Sequence, residues 1–164
     1  KDTSGLLIIA KNLKATKLFA KLFKDQAINK IYVSLCQGIP KNINSIVKLN
    51  IKNKTNDNVK TITKYTVIKK NHKISLNLFQ PLTGKTHQLR VVSKYLNCPI
   101  IGDRKYNVNN KYKSEKLKLN AHYLKFHFCG QDYEFKSTLP FHFLNFMKKN
   151  NLFIKVYKHI NNFL

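Results

Sequence analysis

PLTGKTHQLRVVSKYLNCPIIGDRKY, residues 81–106, orders its parts in a way that decides the reading of the whole chain. A Thr83-Gly84 turn presents Lys85, Thr86, His87 and Gln88, and Arg90 follows. Leu89, Val92 and Leu96 recur at helical spacing, which predicts a short helix over 86–96, with Ser93 interrupting its apolar face. Asn97 to Pro99 end that helix, and Gly102-Asp103 makes a second turn.

Working outward, Val59–Lys69 and Lys73–Phe79 alternate as two strands joined near Asn71-His72. Lys30–Gln37 reads as a strand stopped by Gly38 and Pro40. Asn12–Ala27 carries Leu18, Phe19, Leu22 and Phe23 on one face and Lys14, Lys17, Lys21 and Lys24 on the other, an amphipathic helix that Asn12 or Thr16 could cap. Ser4–Ala10 is a continuous apolar run after a glycine and predicts a buried strand. It starts without a leading methionine, as a segment of a longer protein would. Lys41–Asn58 and Asn107–Lys118 are polar and lysine-rich, the first a hairpin or surface loop and the second a loop. Ala121–Phe128 and Tyr133–Lys136 flank a turn at Gly130-Gln131-Asp132, and Phe141–Lys149 closes as a helix, with a tail that docks or frays. The expected class is α+β in one domain, 1–164, with a mixed, mainly antiparallel sheet and flanking helices.

Charge narrows the partners. Lys+Arg is 31 against 7 Asp+Glu, a formal +24. Self-repulsion on that scale is relieved by a polyanion, and counterion release drives the association. Nucleic acid fits best. An anionic membrane surface fits less, because the lysines are spread over strands and loops rather than one amphipathic helix. An A/T-rich coding bias would also inflate lysine. No apolar run approaches a membrane span, and Leu6–Ala10 is too short for the core of a signal peptide.

Most familiar site chemistries find no footing here. Cys36, Cys98 and Cys129 are far apart, so neither a zinc site nor a disulfide framework is suggested, and a reduced, cytoplasmic setting fits. His122 and His127 lie in one strand at odd spacing, which puts them on opposite faces and makes a poor metal pair. Gly84-Lys85-Thr86 resembles the end of a phosphate-binding P-loop, but the glycine needed five positions earlier is Phe79. Asn53-Lys54-Thr55 is a glycosylation sequon without other signs of secretion. Among the few carboxylates, Asp2 and Asp103 alone sit beside turns within the informative segments.

Arg90 and Arg104 are the only arginines among many lysines. Where a generic charge suffices, this composition supplies lysine. An arginine at position 90 therefore suggests a rigid planar fork for a carboxylate or phosphate, although a solvated helix face would also accept it. Tyr32, mid-strand in Lys30-Ile31-Tyr32-Val33, is either ordinary sheet packing or a stacking platform for a base.

Taken together, these segments resemble the RluA family of pseudouridine synthases. KDTSGLLIIAK at 1–11 looks like the sequence that follows the family's H-R-L-D. KIYVSLCQG at 30–38 resembles its K-x-Y strand, TITKY at 61–65 its A-x-T-x-Y strand, and LNAHYLKF at 119–126 its L-H-A-x-x-L-x-F strand. GKTHQLRV at 84–91 and CPIIGDRKY at 98–106 are similar to G-R-T-H-Q-I-R-V and H-P-I-x-G-D-x-x-Y, with Lys85 and Cys98 as departures.

The resemblance implies isomerisation of uridine to pseudouridine in folded RNA, without metal or cofactor. It favours ribosomal over transfer RNA and implies a monomer away from membranes. It makes Arg90 the partner of the nucleophilic aspartate and Tyr32 the platform for uracil. Leu89, with Ile100 and Ile101, would wall the pocket, and His87 and Gln88 would contact substrate. Aligned on T-S-G, that aspartate falls immediately before Lys1, and Asp2 occupies a variable position. The expectation is a catalytic fold incomplete at its N-terminus, with Arg90 left unpartnered and the fragment inactive alone. The alternatives are a remnant that only binds RNA, and a basic ribosome-associated protein.

Overall fold

Parity along one strand sets the layers. In the computed structural model, which describes residues 2–52, 55–107 and 111–164, strand β2 (Ile28–Gln37) alternates between two cores. Ile31, Val33 and Leu35 enter one, while Tyr32 and Cys36 face the other. Successive side chains point to opposite faces of a sheet, so both faces of β2 must be covered. They are: Phe143, Phe146 and Met147 pack on the first face, and Leu89 and Val92 on the second.

The remaining elements are β1 (Ser4–Gly5) and α1 (Leu13–Lys24) before β2, then β3 (Asn44–Lys52), β4 (Asn58–Lys70), β5 (Ile74–Pro81), α2 (Gln88–Tyr95), β6 (Leu119–Phe128), β7 (Gln131–Lys136), α3 (Phe141–Lys149) and α4 (Tyr157–Ile160). They form one sheet in the order β1-β6-β2-β5-β4-β3, with β7 also on β6. Among the described residues, β1 pairs with β6 in parallel and the other strand pairs are antiparallel. The α+β, mainly antiparallel architecture is the one expected.

Three segments differ from expectation or resolve it. The apolar run Ser4–Ala10 is not a buried strand: only Ser4 and Gly5 pair, and Leu7 and Ile9 are 80% and 77% exposed. Leu6 and Ile8 alternate inward onto the Phe19–Phe126 cluster, so the run is extended but covered on one side. The segment Lys41–Asn58 contains a full strand, β3, paired antiparallel with β4, so the hairpin alternative holds rather than the loop. The C-terminal tail docks, with Leu152, Val156, Ile160 and Phe163 buried under the first face. Asn53 and Lys54 of the sequon, and 108–110 of the lysine-rich loop, lie outside the described residues. Asn12 caps α1 as its sequence suggests, its Oδ1 accepting from the Ala15 N–H at 2.8 Å.

Candidate active site

Where β2 crosses β6, the register shifts: Ile31 opposes Tyr123 but Tyr32 opposes Ala121, leaving His122 as the extra residue. A bulge of this kind bends a strand and re-aims its neighbours. His122 is buried there, its Nδ1–H donating to the Asn120 side-chain oxygen at 3.1 Å. Burial pushes its pKa down to about 4. The same Asn120 donates to Ser4 Oγ at 3.0 Å and accepts from Ser137 Oγ at 3.0 Å, tying β1 and the end of β7 to β6. Tyr32 stands on the opposite strand beside this bulge. Burial raises its phenol pKa, so it stays protonated.

A cavity of about 310 Å³ opens beside Tyr32. Tyr32, His87, Gln88, Leu89 and Arg90 all line it, together with Phe23, Lys30 and Lys85. Five residues chosen from sequence, from one strand and one helix, therefore meet at one opening. Ile100 and Ile101 do not: both are fully buried, Ile100 in the core that holds Leu89 and Ile101 in the opposite one, so neither lines the cavity.

Gln88 is fully engaged inside the protein. Its Oε1 accepts from Thr83 Oγ1 and the Lys85 N–H, and its Nε2 donates to the Ile62 carbonyl and Thr63 Oγ1. Its amide therefore clamps the 83–85 turn to β4, and substrate contact by that amide is precluded while the clamp holds. His87, in a left-handed conformation at φ 56°, is exposed at the rim. Its Nδ1 lies 3.1 Å from the Tyr106 hydroxyl. Burial, then Arg90 and Lys105, lower its pKa.

Arg90 is not left unpartnered. Its Nε donates to Asp103 Oδ2 and its Nη2 to Asp103 Oδ1, each at 2.7 Å. Asp103 also accepts the N–H groups of Lys105 and Tyr106, both at 3.0 Å. Burial alone would raise the Asp103 carboxyl, but Arg90 and those N–H groups outweigh it and hold the pKa below the usual range. The Arg90 guanidinium lies 5.0 Å from the Tyr106 ring centroid, so the fork is gripped at its edge by a carboxylate and on its face by an aromatic ring. Sequence reading missed both partners. The signal was present: Asp103 and Tyr106 close the same stretch that begins with the Thr83-Gly84 turn.

Comparison with known proteins gives the family of the chain. A family model described as RNA pseudouridylate synthase matches residues 1–95, more than half of the 164-residue chain. The chain belongs to that family. It is 34% identical over 168 residues to the ribosomal large subunit pseudouridine synthase D of Borreliella burgdorferi, covering 93% of this chain and 52% of that protein. It is 37% identical over 158 residues to the ribosomal large subunit pseudouridine synthase C of Rickettsia typhi, covering 87% and 52%. The chain thus spans about half the length of these synthases. In the human RNA pseudouridylate synthase domain containing 1, 85% of this chain superposes on 66% of that chain with a TM-score of 0.75 and 26% identity. Within this synthase fold, the matched region holds β1 through α2, and so includes Tyr32, His87 and Arg90.

Among the described residues, no group of three or more His, Cys, Asp or Glu could hold a metal ion. No helix among them is long and apolar enough to cross a membrane.

Proposed function

We propose that this chain forms the rear part of the catalytic domain of an RNA pseudouridine synthase that isomerises uridine in structured RNA, with large-subunit ribosomal RNA as substrate. One observation carries the reading: Tyr32 from β2 and Arg90 from α2 line the same cavity. The ribosomal assignment rests on the similarity to ribosomal large subunit pseudouridine synthases.

In this proposal the target uridine leaves its stack, at a cost of about a few kcal/mol, and the Tyr32 ring receives the base. Leu89 supplies apolar wall. Arg90 has five N–H donors, and Asp103 uses one at Nε and one at Nη2. The outer edge of the fork is geometrically suited to a second carboxylate, which a neighbouring positive charge would keep ionised. A nucleophilic aspartate of the kind the family resemblance implies would meet this edge of the fork. The reaction breaks the bond from N1 of uracil to C1′ of ribose, rotates the base and joins C5 to C1′. The C5 proton leaves to water and N1 gains one, so no redox partner is needed. The protein is proposed to work as a cytoplasmic monomer.

The test is release of tritium from C5-labelled uridine in a ribosomal RNA transcript by the gene product carrying these residues. Release that vanishes in Arg90→Ala supports the reading. Absence of release with ribosomal and transfer RNA alike would leave RNA binding as the remaining activity.

A further inference from the structure

A second cavity of about 640 Å³ adjoins the first, and Asp2 and Arg90 line both. Its other walls bring Arg104, Lys105 and Lys116 together with Ser114, Glu115 and His142. Both arginines of the chain therefore face this one space.

The charges there do not cancel. Arg90 is matched by Asp103, and Glu115 is matched by Lys118. Among the described residues no carboxylate pairs with Arg104, Lys105 or Lys116, and Asp2 is the one acid left against them. The pKa of His142 is lowered by burial first, and the charges of Lys118 and Lys116 lower it further.

The space is also built rather than incidental. Gly102 has φ +78°, and a Cβ there would sit 2.4 Å from the Lys116 carbonyl oxygen. The Lys118 N–H donates to the Ile101 carbonyl at 2.9 Å. The turn bearing Arg104 and Lys105 is thereby held against the segment bearing Lys116. An arginine fork beside two lysines suits a phosphate oxygen set, since the fork binds two oxygens at once and the lysines add point charge.

We infer that this second chamber binds a phosphodiester of the RNA strand next to the target uridine, with Arg104, Lys105 and Lys116 as its cations. The inference rests on the synthase reading above. It gives these exposed cations a role that general surface charge does not: they fix the register of the strand relative to Tyr32 and Arg90, as backbone contacts do in nucleic-acid recognition.

The experiment measures binding of a short single-stranded oligouridine RNA to the full chain, with and without a neutral methylphosphonate at one linkage flanking the central nucleotide. Neutralising that linkage should weaken binding of the unsubstituted chain about tenfold, and binding of Arg104→Gln/Lys116→Gln less than twofold. The salt dependence of the double variant should be shallower by about 0.7 in log–log slope, the value for one phosphate on a single strand. A Lys14→Gln/Lys17→Gln variant on the solvent face of α1 removes equal charge and should keep the tenfold penalty. Equal penalties in the unsubstituted chain and the Arg104/Lys116 variant, in a protein that isomerises uridine, would overturn the subsite alone. Failure of the gene product to isomerise uridine in any RNA would overturn the synthase reading and the subsite with it. Inorganic phosphate or anionic vesicles competing better than the oligonucleotide would assign the chamber to another anion and overturn the inference.

Discussion

Arg90 and Asp103 form a two-point ion pair in which Nε meets Oδ2 and Nη2 meets Oδ1, both at 2.7 Å, with the carboxylate side chain fully buried. A pair of this geometry orients a guanidinium more tightly than a single contact can. The buried carboxylate also makes the pair costly to break on one side. Asp103→Ala would leave Arg90 and the N–H groups of Lys105 and Tyr106 without their acceptor. The expected loss is about 3–5 kcal/mol of stability, read as a lower midpoint in chemical denaturation. A change within about 0.5 kcal/mol would show that Arg90 is held by something else.

Arg90→Lys keeps the charge and loses the fork. Lysine cannot meet both carboxylate oxygens in the same plane. The expected outcome is a fall in turnover of about 100-fold or more, a loss of about 2.7 kcal/mol in transition-state stabilisation, with RNA binding reduced less than threefold. Single-turnover assays beside a filter-binding measurement separate the two.

Gln88 supports the site from behind. Gln88→Leu removes the amide that serves two donors and two acceptors around the 83–85 turn. Groups left buried without partners cost about 1–3 kcal/mol each. Destabilisation of that order is expected, with turnover falling because the turn that carries Lys85 and His87 loosens. An equally stable variant would show that the clamp is redundant.

Legibility in the sequence was uneven for physical reasons. Helices α1 and α2 follow from helical spacing, β4 and β5 from alternation, and β2 from its β-favouring run between turn residues, although β2 and β5 are buried on both faces. The run Leu6–Ile9 misleads because continuous apolarity normally signals burial on both sides, whereas here only Leu6 and Ile8 turn inward. β3 stayed open between hairpin and loop because of its lysines and asparagines, which suit an edge strand of the sheet. Arg90 drew attention as one of two arginines and Tyr32 through the family resemblance, and the two line one cavity. The engagement of Gln88 and the pairing of Arg90 with Asp103 were not legible, since both depend on contacts between separate elements.

The buried His122 gives the fold an acid-sensitive point. Its pKa is about 4 in the folded chain, against about 6.5 for an exposed histidine. The unfolded chain therefore binds the proton first as pH falls. The contribution is fully present above about pH 6.5 and is lost progressively down to about pH 4, by up to about 3 kcal/mol. Denaturation midpoints measured between pH 7 and pH 4.5 should fall, and the fall should be smaller in His122→Gln. An identical pH profile in that variant would assign the acid sensitivity to other groups.

The most direct measurement is tritium release from C5-labelled uridine in a large-subunit ribosomal RNA transcript, comparing the gene product that carries these residues with its Tyr32→Ala and Arg90→Ala variants. Release by the unsubstituted protein, with at least a 1,000-fold slower rate in Arg90→Ala, about 4 kcal/mol, and a clear loss in Tyr32→Ala, is the predicted result. Release that continues undiminished in either variant would contradict the claim that the cavity between β2 and α2 is where uridine is isomerised.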